Sequence, residues 1–225
     1  AKGDQRIEIS ISNTGERTIA TANSRDESPL RVSDGPDVAH YTVGENSFEV
    51  SQKSFWQSHK DAPRVLTEAV LGYAQLREGD HVLDLYGGVG LFAASFLSSI
   101  GESGSVDIVE GSKSATADAG RNFAGKSNVN IYTGDVARLI TRFSSADVIV
   151  LDPPREGAGK DVIAQCAQLQ PRSIVYVACD PAALARDTGY LRDAGYQLET
   201  MRAFDLFPMT HHIESVAKFV PSKVS

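Results

Sequence analysis

From Pro63 onward the chain repeats one unit: a short run of apolar residues, then a stretch whose apolar positions recur at helical spacing. The apolar runs are His81–Leu85, Ser105–Val109, Asn130–Tyr132, Asp147–Leu151 and Ser173–Ala178, with two more near 197–205 and 213–220. Most are apolar at consecutive positions rather than at every second one, as in strands buried on both faces. Helical stretches near 89–99, 112–123, 135–143, 160–168 and 182–193 separate them. An earlier helix is predicted from Asp61 as cap and Pro63 as an early position, with Val65, Leu66, Ala69, Val70, Tyr73 and Leu76 on one face. Regular alternation of β and α restricts the chain to an α/β fold, a doubly wound open sheet. Its 225 residues suffice for one such domain plus something smaller.

Residues 1–55 follow a different pattern. Ile7, Ile9 and Ile11 alternate with polar residues, which predicts a half-buried strand. Turn signals at Thr14-Gly15, Asp34-Gly35 and Gly44-Glu45 separate further short strands near 18–22, 40–43 and 48–50. The expected layout is a small β-rich module over 1–55, packed on a catalytic domain over 56–225. The N-terminus has no signal-peptide pattern and no starting Met, which reads as a processed, tagged or truncated chain.

Composition narrows the function. No apolar run approaches the roughly 20 residues that span a bilayer, so no membrane role is expected. Two cysteines cannot build a disulfide framework or a four-thiolate cluster, which points to a reducing, cytoplasmic setting without iron–sulfur chemistry. His211 and His212 lack a third ligand at zinc-like spacing, so they read as positioning or hydrogen-bonding groups and no metal is expected. The net charge of −7 disfavours a nucleic-acid partner unless a local basic face or a separate basic module supplies the phosphate contacts. No feature sets an oligomeric state.

Ligands of an open α/β sheet bind beyond the carboxyl ends of its strands, so the strand ends carry the information. The first ends in Asp84-Leu85-Tyr86-Gly87-Gly88-Val89-Gly90-Leu91 and opens a helix, a turn that brings backbone close to a ligand. A nicotinamide cofactor is the obvious rival, but only an alanine-ended variant of the dinucleotide fingerprint fits this spacing. Asp84 suits the ammonium of a methionine moiety better than a pyrophosphate. Glu110 ends the second strand, where it could hold a ribose diol, Asp135 follows the third, and Asp152-Pro153-Pro154 the fourth. As an ordered set of acids these exceed what polar strand caps require.

Cys179 ends the apolar run 174–178, just ahead of a helix starting near Pro181, where the helix dipole is expected to lower its pKa. Cys166, inside a helical stretch, reads as core. A methyltransferase needs a thiolate when its target carbon is a poor nucleophile, as carbon 5 of uracil is. Attack on carbon 6 activates carbon 5, and a general base must then remove the carbon 5 proton. Glu214, which enters the last strand after a Pro/Thr/His turn, is the candidate base.

Several separate motifs in one order carry a resemblance over about 55–220: Phe55-Trp56-Gln57, Asp84-Leu85-Tyr86 with its glycines, Leu151-Asp152-Pro153-Pro154-Arg155, Tyr176-Val177-Ala178-Cys179-Asp180-Pro181, and Asp205-Leu206-Phe207-Pro208 through Glu214. The chain resembles the RNA 5-methyluridine methyltransferases that act on bacterial ribosomal or transfer RNA. That resemblance implies a class I, Rossmann-like, S-adenosylmethionine-dependent methyltransferase with Cys179 as nucleophile and Glu214 as proton acceptor. It puts Gln57, Tyr86, Leu91, Glu110, Asp135 and Asp152 at cofactor-pocket positions beside Asp84 and Gly88. Asp152 would also hold the uracil edge. Arg186 could meet phosphate or the catalytic loop, or pair with Asp187 or Asp193, and Phe55 or Trp56 could stack on a base or pack in the core.

The departures are Gly87 where Cys is common, Asp180 where Asn is common, and Leu91 where a polar residue is frequent. The first 50 residues read as part of the family's central β module, with its N-terminal β-barrel absent from this chain. The rivals are an RNA cytosine-C5 methyltransferase, which leaves Glu214 unexplained, an N-methyltransferase, which has no need of Cys179, and a non-catalytic RNA-binding relative of the same fold.

Overall fold

The computed structural model describes residues 5–23, 31–210 and 212–222. The predicted apolar runs become β6 (His81–Leu85), β7 (Ser105–Glu110), β8 (Val129–Thr133), β9 (Val148–Leu151) and β10 (Ser173–Ala178), all parallel. They are followed by β11 (Tyr196–Phe204) and the antiparallel β12 (Glu214–Pro221). The order β11-β12-β10-β9-β6-β7-β8 is the doubly wound sheet that the alternation requires, and chain order reverses between β6 and β9. In such sheets that reversal opens the ligand crevice.

Helices α1 (Ala62–Ala74), α2 (Leu91–Ile100) and α3 (Lys113–Asn122) cover one face, and α4 (Val136–Leu139), α5 (Gly159–Gln168) and α6 (Pro181–Asp193) the other. Alternate residues of β10 show the consequence. Val175 and Val177 enter the first core, while Ile174, Tyr176 and Ala178 enter the second. Two helix details differ from expectation. Asp61 sits at the α1 N-cap but caps nothing with its side chain, although Pro63 falls in the first turn as predicted. The helix predicted over 135–143 breaks after Leu139 into a 3₁₀ turn, Ile140–Arg142. There the Thr141 hydroxyl donates to the Arg138 carbonyl, and such side-chain bonds compete with the helical ladder.

The N-terminal segment forms two pieces: an antiparallel sheet of β1 (Gln5–Ile11), β2 (Arg17–Asn23) and β3 (Arg31–Asp34), and a hairpin of β4 (Val38–Val43) and β5 (Asn46–Ser51). The hairpin shares the main core, placing Tyr41, Val43, Phe48 and Val50 with Leu66, Phe92 and Phe96. It is also strapped to the glycine turn. The Asn122 side chain accepts from Glu49 N at 2.8 Å and donates to Val89 O at 3.1 Å. The alternation of Ile7, Ile9 and Ile11 does mark a strand, but their expected half-burial is incorrect. They are 59, 61 and 69% exposed, because no described element covers that face of β1. No described helix is long and apolar enough to cross a membrane.

Candidate active site

The glycine turn is shaped by what lies under it. Tyr86 takes a left-handed conformation (φ 60°), and its N–H donates to Val109 O at 2.8 Å, hooking the turn onto β7. Gly90 (φ 90°) caps α2, and a Cβ there would lie 2.2 Å from the Phe123 ring. Gly87 has an equally local reason. A Cβ at this position would come within 2.8 Å of Ile108, so the departure to glycine is the one this backbone demands. Burial pushes the Tyr86 phenol up to about 12, which keeps it an O–H donor.

The predicted acids do gather at this edge, but in different roles. Glu110 accepts from Gly88 N at 3.0 Å and from Ser112 N at 2.6 Å, so it stiffens the turn while keeping lone pairs free. Asp135 caps α4 by accepting from Arg138 N at 2.9 Å; its polar-cap reading is correct as far as that oxygen goes. Asp84 is fully buried beneath the turn rather than in the cleft. One of its oxygens accepts from Ala93 N at 3.1 Å and the other has no partner. Burial, with Glu110 nearby, raises its pKa to about 7.

The cleft above is lined by Phe55, Gln57, Tyr86, Gly88, Leu91 and Asp152, among others. A groove of about 610 Å³ between β1 and the 50–63 segment shares Trp56 and Gln57 with it. Trp56 is partly buried against the main core and packs on Tyr41 with ring centroids 4.6 Å apart, whereas Phe55 is 69% exposed.

Cys179, Glu214 and Asp152 converge at the same edge. The β10–β12 register ends at Ala178↔Ser215, so the next positions outward are Cys179 and Glu214. Asp152 follows β9, the neighbour of β10 on the other side. The thiol is half-buried, and its pKa is raised by burial and by the Glu214 and Asp152 carboxylates, against a lowering by Arg155. The expectation of a lowered thiol is therefore incorrect. Burial, together with two carboxylates remote in sequence, outweighs the helix start, where Asp180 already takes the Ala183 N–H. Burial raises Glu214, and burial with Glu214, Asp84 and Glu110 raises Asp152 well above the usual carboxylate range. Cys166 is buried, and its thiol is pushed far up, as its core reading requires.

Arg186 makes the ion pair that its neighbours allow. It pairs with Asp187 at 2.8 Å and donates to Glu156 O at 2.5 Å, while Asp193 pairs with Arg192. Arg155 reaches His212 Nε2 at 3.1 Å, a contact across 57 residues that spacing gives no sign of. His211 lies outside the described residues. Among the described residues no group of three His, Cys, Asp or Glu side chains is placed to hold a metal.

The buried Asp84 predicts a stability effect. Its pKa is about 7 folded against 3.8 ordinarily, so the folded protein holds this proton more tightly. That contribution is full below pH 3.8 and lost as pH rises through about 7. At about 1.4 kcal/mol per unit, the span is worth up to roughly 4 kcal/mol. Urea unfolding at pH 5 and pH 8 is expected to show Asp84→Asn gaining on the wild type at the higher pH. A pH-independent difference between the two would count against this assignment.

The sheet order, the glycine turn and the acids after successive strands define the class I methyltransferase fold, that of S-adenosylmethionine-dependent enzymes. In agreement, the profile of protein-L-isoaspartate(D-aspartate) O-methyltransferases matches residues 41–171, the portion with the glycine turn. The tRNA (uracil-5-)-methyltransferase profile matches 133–219, the portion with Asp152, Cys179 and Glu214. A Streptomyces avermitilis protein described as an uncharacterized RNA methyltransferase is 49% identical over 178 residues, 78% of this chain and 41% of that protein. A Streptomyces coelicolor protein of like description is 42% identical over 207 residues, 91% of this chain and 45% of its own length. The chain thus spans less than half the length of these relatives. Among solved structures, the Pyrococcus abyssi tRNA (uracil-54, C5)-methyltransferase in complex with S-adenosyl-L-homocysteine is similar at a TM-score of 0.70 and 26% identity, over 87% of this chain and 49% of that one. Together, the uracil-5 profile over 133–219, the RNA methyltransferase relatives and the similar tRNA methyltransferase structure support an RNA methyltransferase family of the 5-methyluridine type.

Proposed function

We propose that this chain is the catalytic portion of an RNA uridine-C5 methyltransferase that forms 5-methyluridine in ribosomal or transfer RNA. The observation that carries the reading is the convergence of Cys179, Glu214 and Asp152 on one sheet edge beside the glycine turn. Nitrogen methylation has no use for a thiol there; cytosine methylation would use the same thiolate and base, and the uracil-5 profile match over 133–219 favours uracil over it.

The cleft suits S-adenosylmethionine, because Asp152 lines it and Asp84, with its unpartnered oxygen, lies beneath its glycine turn, two acids whose charged forms a cation above them would favour. Gly88 admits the ligand to close backbone approach, Glu110 offers its remaining lone pairs to a ribose diol, and Gln57, Tyr86, Leu91 and Asp135 complete the surround. When bound, S-adenosylmethionine supplies an electrophilic methyl group to carbon 5.

The chain's own residues supply the rest. Once its proton is lost to solvent, the Cys179 sulfur bonds to carbon 6, and the electron pair of the 5,6 double bond moves toward O4. Asp152, whose protonated form burial favours, donates to that oxygen as charge develops there. After methylation, carbon 5 carries both a methyl and a proton. Glu214 takes the proton, the double bond re-forms, and the sulfur leaves with its electrons. The target base must leave its stack to reach the cleft, and the exposed Phe55 stands at its edge. Exposed Lys53, Lys60 and Arg155 come from the two loops that reach the cleft, and exposed Lys160 lies in the first turn of α5 just beyond the second, a local basic supply despite the net charge of −7. A reducing cytoplasm would keep Cys179 a free thiol.

The test uses ribosomal and transfer RNA transcripts containing 5-fluorouridine, incubated with the protein and S-adenosylmethionine. Fluorine cannot leave as a proton, so a covalent protein–RNA adduct resistant to denaturation is expected. Methyl transfer to ordinary transcripts with no adduct on the fluorinated ones, or product mapped to cytosine or to nitrogen, would overturn the reading.

A further inference from the structure

A second buried carboxylate, outside the cleft, ties its two sides together. Asp187 lies two turns into α6 and is fully buried. One oxygen accepts from Tyr176 Oη at 2.7 Å, Ala158 N at 2.8 Å and Gly159 N at 3.1 Å. The other accepts from Arg186 Nε at 2.9 Å, and Arg186 in turn holds Glu156 O. Gly157 (φ 79°) is pressed against this cluster; a Cβ there would stand 2.6 Å from both Asp187 Oδ2 and Arg186 Nη2. The turn so gripped closes with Gly157 N donating to Pro154 O at 2.8 Å. It begins at Asp152 and carries Arg155 out to His212, two residues before Glu214.

The grip comes from the elements that hold the thiol. Tyr176 stands three residues before Cys179 on β10, and α6 starts two residues after it. Ordinary packing does not require a carboxylate with four donors at this junction. Burying one is costly unless every lone pair is used, and here the donors come from three separate segments. We infer that Asp187, with Tyr176, is a positioning residue: it fixes the 152–159 turn against the Cys179 junction, so that Arg155 stays near the sulfur to offset Asp152 and Glu214. The value of this for catalysis rests on the function proposed above; the clamp itself does not.

The test reads the sulfur without RNA. Charged groups acting on Cys179 are Glu214 from β12, and Asp152 and Arg155 from the turn, with His212 beyond Arg155. Asp187→Asn keeps the size but offers one acceptor oxygen and turns an NH₂ toward N–H donors. Iodoacetamide alkylation of Cys179 in the full chain, followed by mass spectrometry from pH 7 to 10, reports thiolate formation. If Arg155 drifts away, Asp187→Asn is expected to move the midpoint upward and slow alkylation at pH 8 by roughly threefold to tenfold. Arg155→Ala should give a similar shift, and the double variant should add little to it. Leu191→Ala, a buried change further along α6, should lower thermal stability without moving the midpoint. Tyr176→Phe, which removes only the hydroxyl, should shift it in the same direction by less, and it serves as the test if Asp187→Asn does not fold. An unchanged midpoint in Asp187→Asn, or in Tyr176→Phe where that is the folded variant, would overturn the inference and leave Asp187 a structural residue. A wild type that forms no fluorouridine adduct would refute the proposed reaction while leaving this comparison intact.

Discussion

Cys179→Ala is expected to fold as the wild type does and to lose RNA methylation by about six orders of magnitude, the scale seen when a covalent nucleophile is removed. The fold should tolerate the change because the thiol is half-buried at a strand end, outside both cores. The chemistry has no substitute. Cys166 is sealed within the second core, its thiol pushed far up by burial, and it cannot reach the cleft. Single-turnover methyl transfer should therefore vanish together with the fluorouridine adduct, while thermal melting stays close to that of the wild type. Cofactor binding, measured by equilibrium dialysis, should persist because the glycine turn and Glu110 are untouched. Residual turnover within a hundredfold of the wild type would remove Cys179 from the covalent role.

How much of this is legible in the sequence depends on the range of the forces involved. Parallel strands such as Val148–Leu151 are buried on both faces, so their apolar runs stand out without any knowledge of their neighbours. Strand ends are equally local, and hence Glu110, Asp135, Asp152 and Cys179 fall at one edge as the alternation implies. The failures come where distant residues decide. Ile7, Ile9 and Ile11 have the alternation of a half-buried strand, but alternation cannot say whether anything covers the face. Cys179 has the helix start that lowers a thiol, but burial, with Glu214 and Asp152 acting from 35 and 27 positions away, reverses the sign. Asp84 sits in the right motif yet beneath the turn, bonded to Ala93 N rather than facing the cleft.

Asp187 escaped for a related reason. Together with Leu184 and Leu191 it falls on the buried face of α6, where an acid at an apolar position is the signal to notice. Its partners Ala158, Gly159 and Tyr176 come from other segments, so the sequence around it offers no partner other than Arg186. Gln57, Tyr86 and Leu91 show the converse. Nothing in their spacing marks them, and only resemblance to a family put them in the cleft that the fold then forms.

Glu214→Gln should stall the reaction rather than prevent it. The sulfur can still attack carbon 6 and carbon 5 can still be methylated, since neither step uses the Glu214 carboxylate. What fails is removal of the carbon 5 proton, and without it the sulfur cannot leave. A methylated covalent adduct should therefore accumulate on ordinary uridine RNA, where the wild type shows little. It is read as methyl label comigrating with protein on a denaturing gel. Turnover should fall by about 10²–10⁴-fold, the usual contribution of a general base. The pH profile provides an independent check. Burial raises the Glu214 pKa, so wild-type turnover should fall as pH drops through that raised value, because the protonated acid cannot accept a second proton. In Glu214→Gln that acid limb should disappear from the remaining activity. The substitution nearly conserves volume at a position only 7% exposed, and Gln carries no charge to bury, so stability should hold or rise slightly. If the variant forms no adduct yet binds RNA as tightly as the wild type, Glu214 must act before methylation, and the order of steps assigned to it fails.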